Sequence, residues 1–237
     1  MNPLLDPSAR PVIAHRGASA DAPENTLAAF DLALRQGADA LELDVRLSRD
    51  GVPVVIHDPS VDRTTRLRGP VGAFTAAELR SAGVPSLADV LSTFPRVPVL
   101  IDLKEAAAQL AVRELLLSHG AVERCVVAGE EGAVLRGFRG TAFATGACRT
   151  DIATLYGRAA VQLPPRAVSY RLLSVPIRHR GIPVPTRWFV RAAHRLGCPV
   201  HVWTVDAPAV ARRLWDRGVA GIVTNVPGVI RVARSGI

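Results

Sequence analysis

The chain has 237 residues, of which 49% are hydrophobic and 21% charged, a balance that supports a sizeable core and excludes a disordered chain. Its formal net charge is +8, and nearly all of the excess is arginine, the side chain suited to gripping phosphate in a planar fork, so acidic ligands and membrane surfaces are the partner classes to expect. Three cysteines without metal-type spacing, no signal-type N-terminal run in MNPLLDPSAR and no stretch near the ~20 apolar residues of a membrane span together predict a reduced, cytoplasmic protein.

Pro11 to Ala14 is a short apolar run that ends in His15-Arg16-Gly17, so it predicts a strand with His15 at its carboxyl end and Gly17 free to bring backbone close to a ligand. A helix follows the Pro23-Glu24-Asn25-Thr26 loop, on Leu27, Phe30 and Leu34. The next stretch, Ala40 to Asp58, is richer in chemistry. Glu42, Asp44 and Arg46 alternate onto one face of a strand while Leu41, Leu43, Val45 and Leu47 take the other. Asp50-Gly51 is a two-residue hairpin signal, and with Arg49 opposite Val52 the register sets Asp44 beside His57 and puts Val54 and Ile56 behind, with Val45 and Leu47. Two carboxylates and an imidazole on one surface point to a metal or acid-base site.

Residues 59–85 keep neither period, carry Arg63, Arg66 and Arg68, and include the breaker Gly69-Pro70; this predicts a small inserted lobe beside the site. Ser86 caps a helix to about Thr93, and the apolar run Val97 to Leu103 reads as a strand buried on both faces. It delivers Asp102 and Lys104 together to its end. Helices over 105–119, 132–138, 151–159, 186–196 and 207–216 then alternate with strands over 125–128, 141–145, 160–163, 199–205 and 219–224. Taking the segment 53–57 as a hairpin return leaves eight parallel strands, so the fold class is α/β, a (β/α)8 TIM-type barrel spanning residues 1–237 as a single domain with an insertion after the second-strand hairpin. In that architecture the site lies at the carboxyl ends of the strands, which here carry His15, Glu42, Asp44, Asp102, Lys104, Gln162, Trp203, Thr204 and Asn225.

The ordered set HRG at 15–17, PENT at 23–26, ELD at 42–44, HD at 57–58, DLK at 102–104, VWTVD at 202–206 and TNVP at 224–227 resembles the glycerophosphodiester phosphodiesterase family, across nearly the whole chain. The resemblance implies that His15 and His57 act as an acid-base pair, that Glu42, Asp44 and Asp102 bind a divalent cation, Ca2+ or Mg2+, and that Arg16 and Lys104 hold phosphate oxygens. The family commonly has Glu at the position of Asp102. A phosphodiester anion resists nucleophiles, and a hard cation on carboxylate oxygens together with Arg and Lys answers that repulsion. Trp203 would wall the mouth against the apolar edge of a glycerol or alcohol group.

From Ile152 to Val205 there is no Asp or Glu, while eight arginines fall there among apolar residues, a composition suited to peripheral contact with anionic lipid; it shows no amphipathic helix period. The leading reading is a metal-dependent hydrolase that splits glycerophosphodiesters into glycerol 3-phosphate and an alcohol. Two alternatives use the same residues: a lysophospholipase D-like activity, differing in the loop around 165–185, and a barrel that binds phosphodiesters without turnover, which would need no pair of imidazoles. Nucleic acid is not an expected partner, because the basic residues are spread, without aromatic interleaving.

Overall fold

The computed structural model describes residues 2–235. In chain order the first half holds β1 (Val12–His15), α1 (Leu27–Arg35), β2 (Ala40–Leu47), β3 (Pro53–Val55), α2 (Ala76–Ser81), α3 (Leu87–Thr93), β4 (Val99–Leu103), α4 (Gln109–Ser118) and β5 (Cys125–Ala128). The second half holds β6 (Ala144–Thr145), α5 (Arg149–Ala160), β7 (Leu173–Pro176), β8 (Arg178–His179), β9 (Ile182–Pro183), α6 (Arg187–His194), β10 (Val200–Trp203), α7 (Pro208–Trp215), β11 (Gly221–Thr224) and α8 (Pro227–Ser235). Eight strands pair in parallel in the order β6, β5, β4, β2, β1, β11, β10, β7. The sheet closes on itself where Gly146, just past β6, bridges Leu172, just before β7: the Ala147 amide donates to the Leu172 carbonyl at 2.9 Å and the Arg171 amide to that of Thr145 at 2.8 Å. This is the (β/α)8 barrel.

Strand alternation decides what faces inward. Ile13, Ala40, Leu100, Val126 and Val223 meet inside the barrel, and Leu4, from a 3-10 turn at Pro3–Leu5, packs with them. Val45, Leu41, Ile101 and Val127 point outward against the helices. One step further up the inward face the apolar layer gives way to Glu42, Asp44 and Asp102, with Asp44 and Asp102 at matched positions in the β2–β4 register. Among the described residues, no helix is long and apolar enough to cross a membrane.

Three local expectations change. The hairpin pairs Val45 with Val55, Arg46 with Val54 and Leu47 with Pro53, one residue away from the register that sets Asp44 opposite His57. The loop has three residues, Arg49-Asp50-Gly51, closed by the Ser48 amide on the Val52 carbonyl at 3.0 Å, with Gly51 at φ 75°. A slip of one flips faces, so Val55 packs with Val45 and Leu47, while Val54 and Ile56 build a separate small core with Val61, Val71, Leu79 and Val84 of the 59–85 segment. Ile56, not His57, lies across from Asp44, its amide donating to the Asp44 carbonyl at 3.0 Å.

The sixth barrel strand also moves. Residues 160–163 are no strand: α5 runs to Ala160, Gln162 has φ 57° just beyond it, and Val161 and Leu163 are exposed. The buried pair Leu173 and Val175 supplies the strand instead, and Gln162 is not at a strand's carboxyl end. Lastly, the segment expected as a helix over 132–138 is only a 3-10 turn, Gly132–Leu135, while α2 inside the lobe and α8 at the end are helices that the apolar spacing did not announce.

Candidate active site

The loop after β1 is built around an unusual backbone. Arg16 and Asn25 both have positive φ, 59° and 57°, and Gly17 has φ 87°, where an added Cβ would lie 2.6 Å from the Ala29 carbonyl carbon. The Arg16 amide reaches back to the Glu42 carbonyl at 3.0 Å and to its carboxylate at 3.1 Å, and the Asn25 amide donates to the Arg16 carbonyl at 2.9 Å. This folds Asn25 into the buried floor, where its Nδ2 donates to Asp44 Oδ2 at 2.9 Å.

Around that floor the acids and bases alternate. Arg16 Nε lies 3.1 Å from Asp44 Oδ2, and Lys104 Nζ lies 2.8 Å from Asp44 Oδ1 and 2.6 Å from Asp102 Oδ2. Glu42, Asp44 and Asp102 each present a carboxylate oxygen within 4.8 Å of the others. Burial, with Asp44 and Asp102 alongside, raises the Glu42 carboxyl well above the usual carboxylate range. Burial also raises Asp102. It pushes against Asp44 too, but there Lys104 and Arg16 outweigh it and hold the carboxyl low. The same ion pairs override burial at Lys104 and raise its ammonium group above the ordinary lysine value. Three clustered hard-oxygen donors, two of them resisting ionisation because negative charge is crowded there, are a donor set that fits one hard divalent cation.

The two histidines flank this cluster with their Nδ1 atoms engaged. His15 Nδ1 is 2.8 Å from Asn225 Oδ1. Asn225 cannot turn its amide round, since its Nδ2 donates to Asp206 Oδ2 at 2.8 Å and a carboxylate offers no proton in return. Asn225 Oδ1 therefore accepts, His15 carries its proton on Nδ1, and the lone pair of its Nε2 is free. Burial lowers the His15 pKa below the ordinary imidazole value, against the raising pull of the Asn225 hydrogen bond. His57 Nδ1 is 2.7 Å from Asp58 Oδ1, while Arg46 Nε donates to the His57 carbonyl at 2.9 Å and fixes that backbone. Arg63 from the lobe donates to Asp58 Oδ2 at 2.6 Å and makes a forked pair with Glu24, 2.8 Å on each oxygen. Glu24 in turn pairs with Arg16 at 3.0 Å. Hydrogen bonding from Arg63 and His57 holds the Asp58 carboxyl far below its usual range.

The structure thus brings His15, Arg16, Glu42, Asp44, His57, Asp102 and Lys104 to one end of the barrel, with Trp203 at the end of β10 and 42% exposed. A family model for the glycerophosphoryl diester phosphodiesterase family matches residues 15–229. The chain belongs to that family. The glycerophosphodiester phosphodiesterase of Caldanaerobacter subterraneus subsp. tengcongensis is 31% identical over 242 residues, covering 95% of this chain and 98% of that protein. A crystal structure of the glycerophosphodiester phosphodiesterase from Agrobacterium tumefaciens superimposes with a TM-score of 0.76 at 30% identity, covering 94% of this chain and 99% of the other. At the level of fold alone, so does an Oleispira antarctica phosphodiesterase solved with the product sn-glycerol-3-phosphate, TM-score 0.74, 23% identity, covering 96% and 97%.

For this member of the family the sequence spacing left several residues unassigned. Glu24, Asn25, Asp58, Arg63, Ser19 and Asp206 all hold other site residues in place, Ser19 by donating to Asn225 Oδ1 at 2.8 Å. The motif PENT did contain Glu24 and Asn25, and HD contained Asp58; the partners that explain them are distant in sequence.

Proposed function

We propose that the chain hydrolyses glycerophosphodiesters to glycerol 3-phosphate and an alcohol, as a single barrel unit with residues 59–85 as an inserted lobe, in the cytoplasm. The observation that carries this reading is the pairing of two imidazoles, each held through Nδ1 with Nε2 unpartnered among the described residues, on either side of the acidic cluster. A barrel that merely bound phosphodiesters would have no use for two such groups, which sets that alternative aside.

Glu42, Asp44 and Asp102 would hold one divalent cation, Ca2+ or Mg2+, through oxygen. When bound, that ion supplies charge neutralisation at the phosphoryl oxygens. Arg16 and Lys104, now paired with Asp44, Glu24 and Asp102, would turn part of their donor capacity to the phosphate. His15, neutral and with its Nε2 lone pair outward, accepts the proton of the attacking oxygen. His57, with Asp58 accepting from Nδ1, delivers a proton from Nε2 to the leaving alkoxide. Trp203 provides a flat apolar wall for the glycerol or alcohol portion.

A second reading, a lysophospholipase D-like activity, is favoured by the acid-free, arginine-rich stretch from Ile152 to Val205, which includes Trp203. A panel of deacylated glycerophosphodiesters and lysolipids, assayed with and without chelator and with both products identified, tests both. Glycerol 3-phosphate from the deacylated diesters supports the main reading; turnover of lysolipids alone supports the second; turnover of neither contradicts both.

A further inference from the structure

β8 and β9 form a two-stranded hairpin of their own directly after β7, with Arg180-Gly181 at its tip, Arg180 at φ 48° and Gly181 at φ 83°. The base of the hairpin is fastened to the barrel mouth. The Ile177 amide donates to the Trp203 carbonyl and the Val184 amide to the Ile177 carbonyl, both at 3.2 Å. On its flank the Tyr156 hydroxyl donates to the Pro183 carbonyl at 3.0 Å, and the Tyr156 ring meets Trp188, on the first turn of α6, edge to face at 4.6 Å. The anchored hairpin and its neighbours nevertheless leave large apolar groups in solvent. Ile182 is 55% exposed, and Trp188 and Trp203 are 37% and 42% exposed.

The stretch of chain that carries them, Ile152 to Val205, has charge of one sign. None of the eight arginines between Ile152 and Val205 has an acidic partner among the described residues, and the stretch itself contains no Asp or Glu that could supply one. Arg180 and Arg187 are exposed and make no side-chain hydrogen bond among those residues. Unpaired guanidinium groups beside exposed Trp and Ile match the two layers of an anionic bilayer surface, phosphate outside and hydrocarbon just beneath. A nucleic acid would match the charge, but it gives Ile182 nothing to enter.

We infer that the β8–β9 hairpin and the start of α6 dock this protein on anionic phospholipid membranes with the barrel mouth beside the lipid. The inference rests on the phosphodiesterase reading for its purpose, delivery of lipid-derived diesters to the site, but docking is read without turnover. Each can fail without the other.

The test is co-sedimentation of the full chain with vesicles of phosphatidylcholine alone and of phosphatidylcholine mixed with phosphatidylglycerol, at low and high salt. The wild type is expected to pellet with the mixed vesicles, to release on raising salt, and to ignore the neutral ones. The double variant Arg180→Glu, Arg187→Glu should lose binding by about tenfold or more, since each basic residue near an anionic surface contributes measurably. Ile182→Ser should weaken binding without changing its salt dependence. Both should fold and should hydrolyse a soluble deacylated diester as the wild type does, because all three side chains are exposed and none is assigned a part in the chemistry. A wild type that stays in the supernatant, charge variants that pellet equally well, or a dimer that shields the hairpin and binds no vesicles would each overturn the inference.

Discussion

Asn225 fixes the proton of His15 on Nδ1, because its own amide is locked by Asp206 and offers the ring only an acceptor, 2.8 Å away. The two residues lie 210 positions apart and meet because β11 pairs beside β1 in the closed barrel. Replacing Asn225 by Leu, of similar size, removes the acceptor and frees the ring to take either tautomer. We expect kcat to fall on the order of 10²-fold with little change in KM, the range for a misdirected general base. Unchanged kcat in a folded Asn225→Leu protein would mean that tautomer control is irrelevant.

The direction of the His15 shift gives a pH prediction. Burial holds its pKa down, so the neutral form persists below the ordinary imidazole value, and it is the neutral form that accepts a proton. The acid limb of kcat/KM assigned to His15 should therefore fall below about pH 6.5. An acid limb at or above that value, lost in His15→Ala, would contradict the assignment.

Arg63 ties the His57 loop to the His15 loop through Asp58 and Glu24. Arg63→Met should lower kcat roughly tenfold or more, and combining it with Asp58→Asn should cost much less than the product of the two, since both act on one network. Steady-state kinetics of the three variants, with circular dichroism to confirm folding, checks this. Fully multiplicative effects would separate the two residues.

Lys104 occupies oxygens of Asp44 and Asp102 that a divalent cation would also use. Removing that resident charge in Lys104→Met should tighten Ca2+ or Mg2+ binding by about tenfold, read by calorimetry without substrate, while kcat/KM falls for want of a phosphate partner. Equal or weaker metal binding in the variant would show that Lys104 does not compete.

His201 is a buried group outside the proposed chemistry. It is fully enclosed in the barrel, neither ring nitrogen has a partner among the described residues, and burial alone lowers its pKa to about 4. An unfolded chain binds this proton near pH 6.5, so the folded state keeps its full stability above that value and loses about 1.4 kcal/mol per unit of depression as pH falls through 6.5 towards 4. Urea unfolding of wild type and His201→Leu at neutral and mildly acidic pH should show a smaller acid loss in the variant. An identical loss would place the acid sensitivity elsewhere.

Period and strand-end chemistry made the barrel and most of the candidate site legible in the sequence, because Glu42, Asp44 and Asp102 sit on strands whose alternation is fixed by their apolar neighbours and Lys104 follows directly after β4. The hairpin register was misread for a local reason: Ser48, whose hydroxyl bonds Asp50 and accepts from Val52, closes a three-residue loop where Asp50-Gly51 alone suggests two. The sixth barrel strand falls later than its apolar spacing suggests because Ala159-Ala160-Val161, at the end of α5 and its cap, imitates a short buried strand. The supporting residues Arg63, Asp206 and Glu24 were illegible as partners, since nothing in local spacing brings the lobe to the β1 loop; only the closed fold does.

Glycerol 3-phosphate release by metal-stripped protein, followed as Ca2+ or Mg2+ is titrated back, tests the central claim most directly. The stripped protein should be inactive, activity should rise to a plateau as one site per chain fills, and Glu42→Gln and Asp44→Asn should fail to recover at the same metal concentration. Full turnover in thoroughly stripped protein, or full recovery in both variants, would contradict a metal-dependent phosphodiesterase built on Glu42, Asp44 and Asp102.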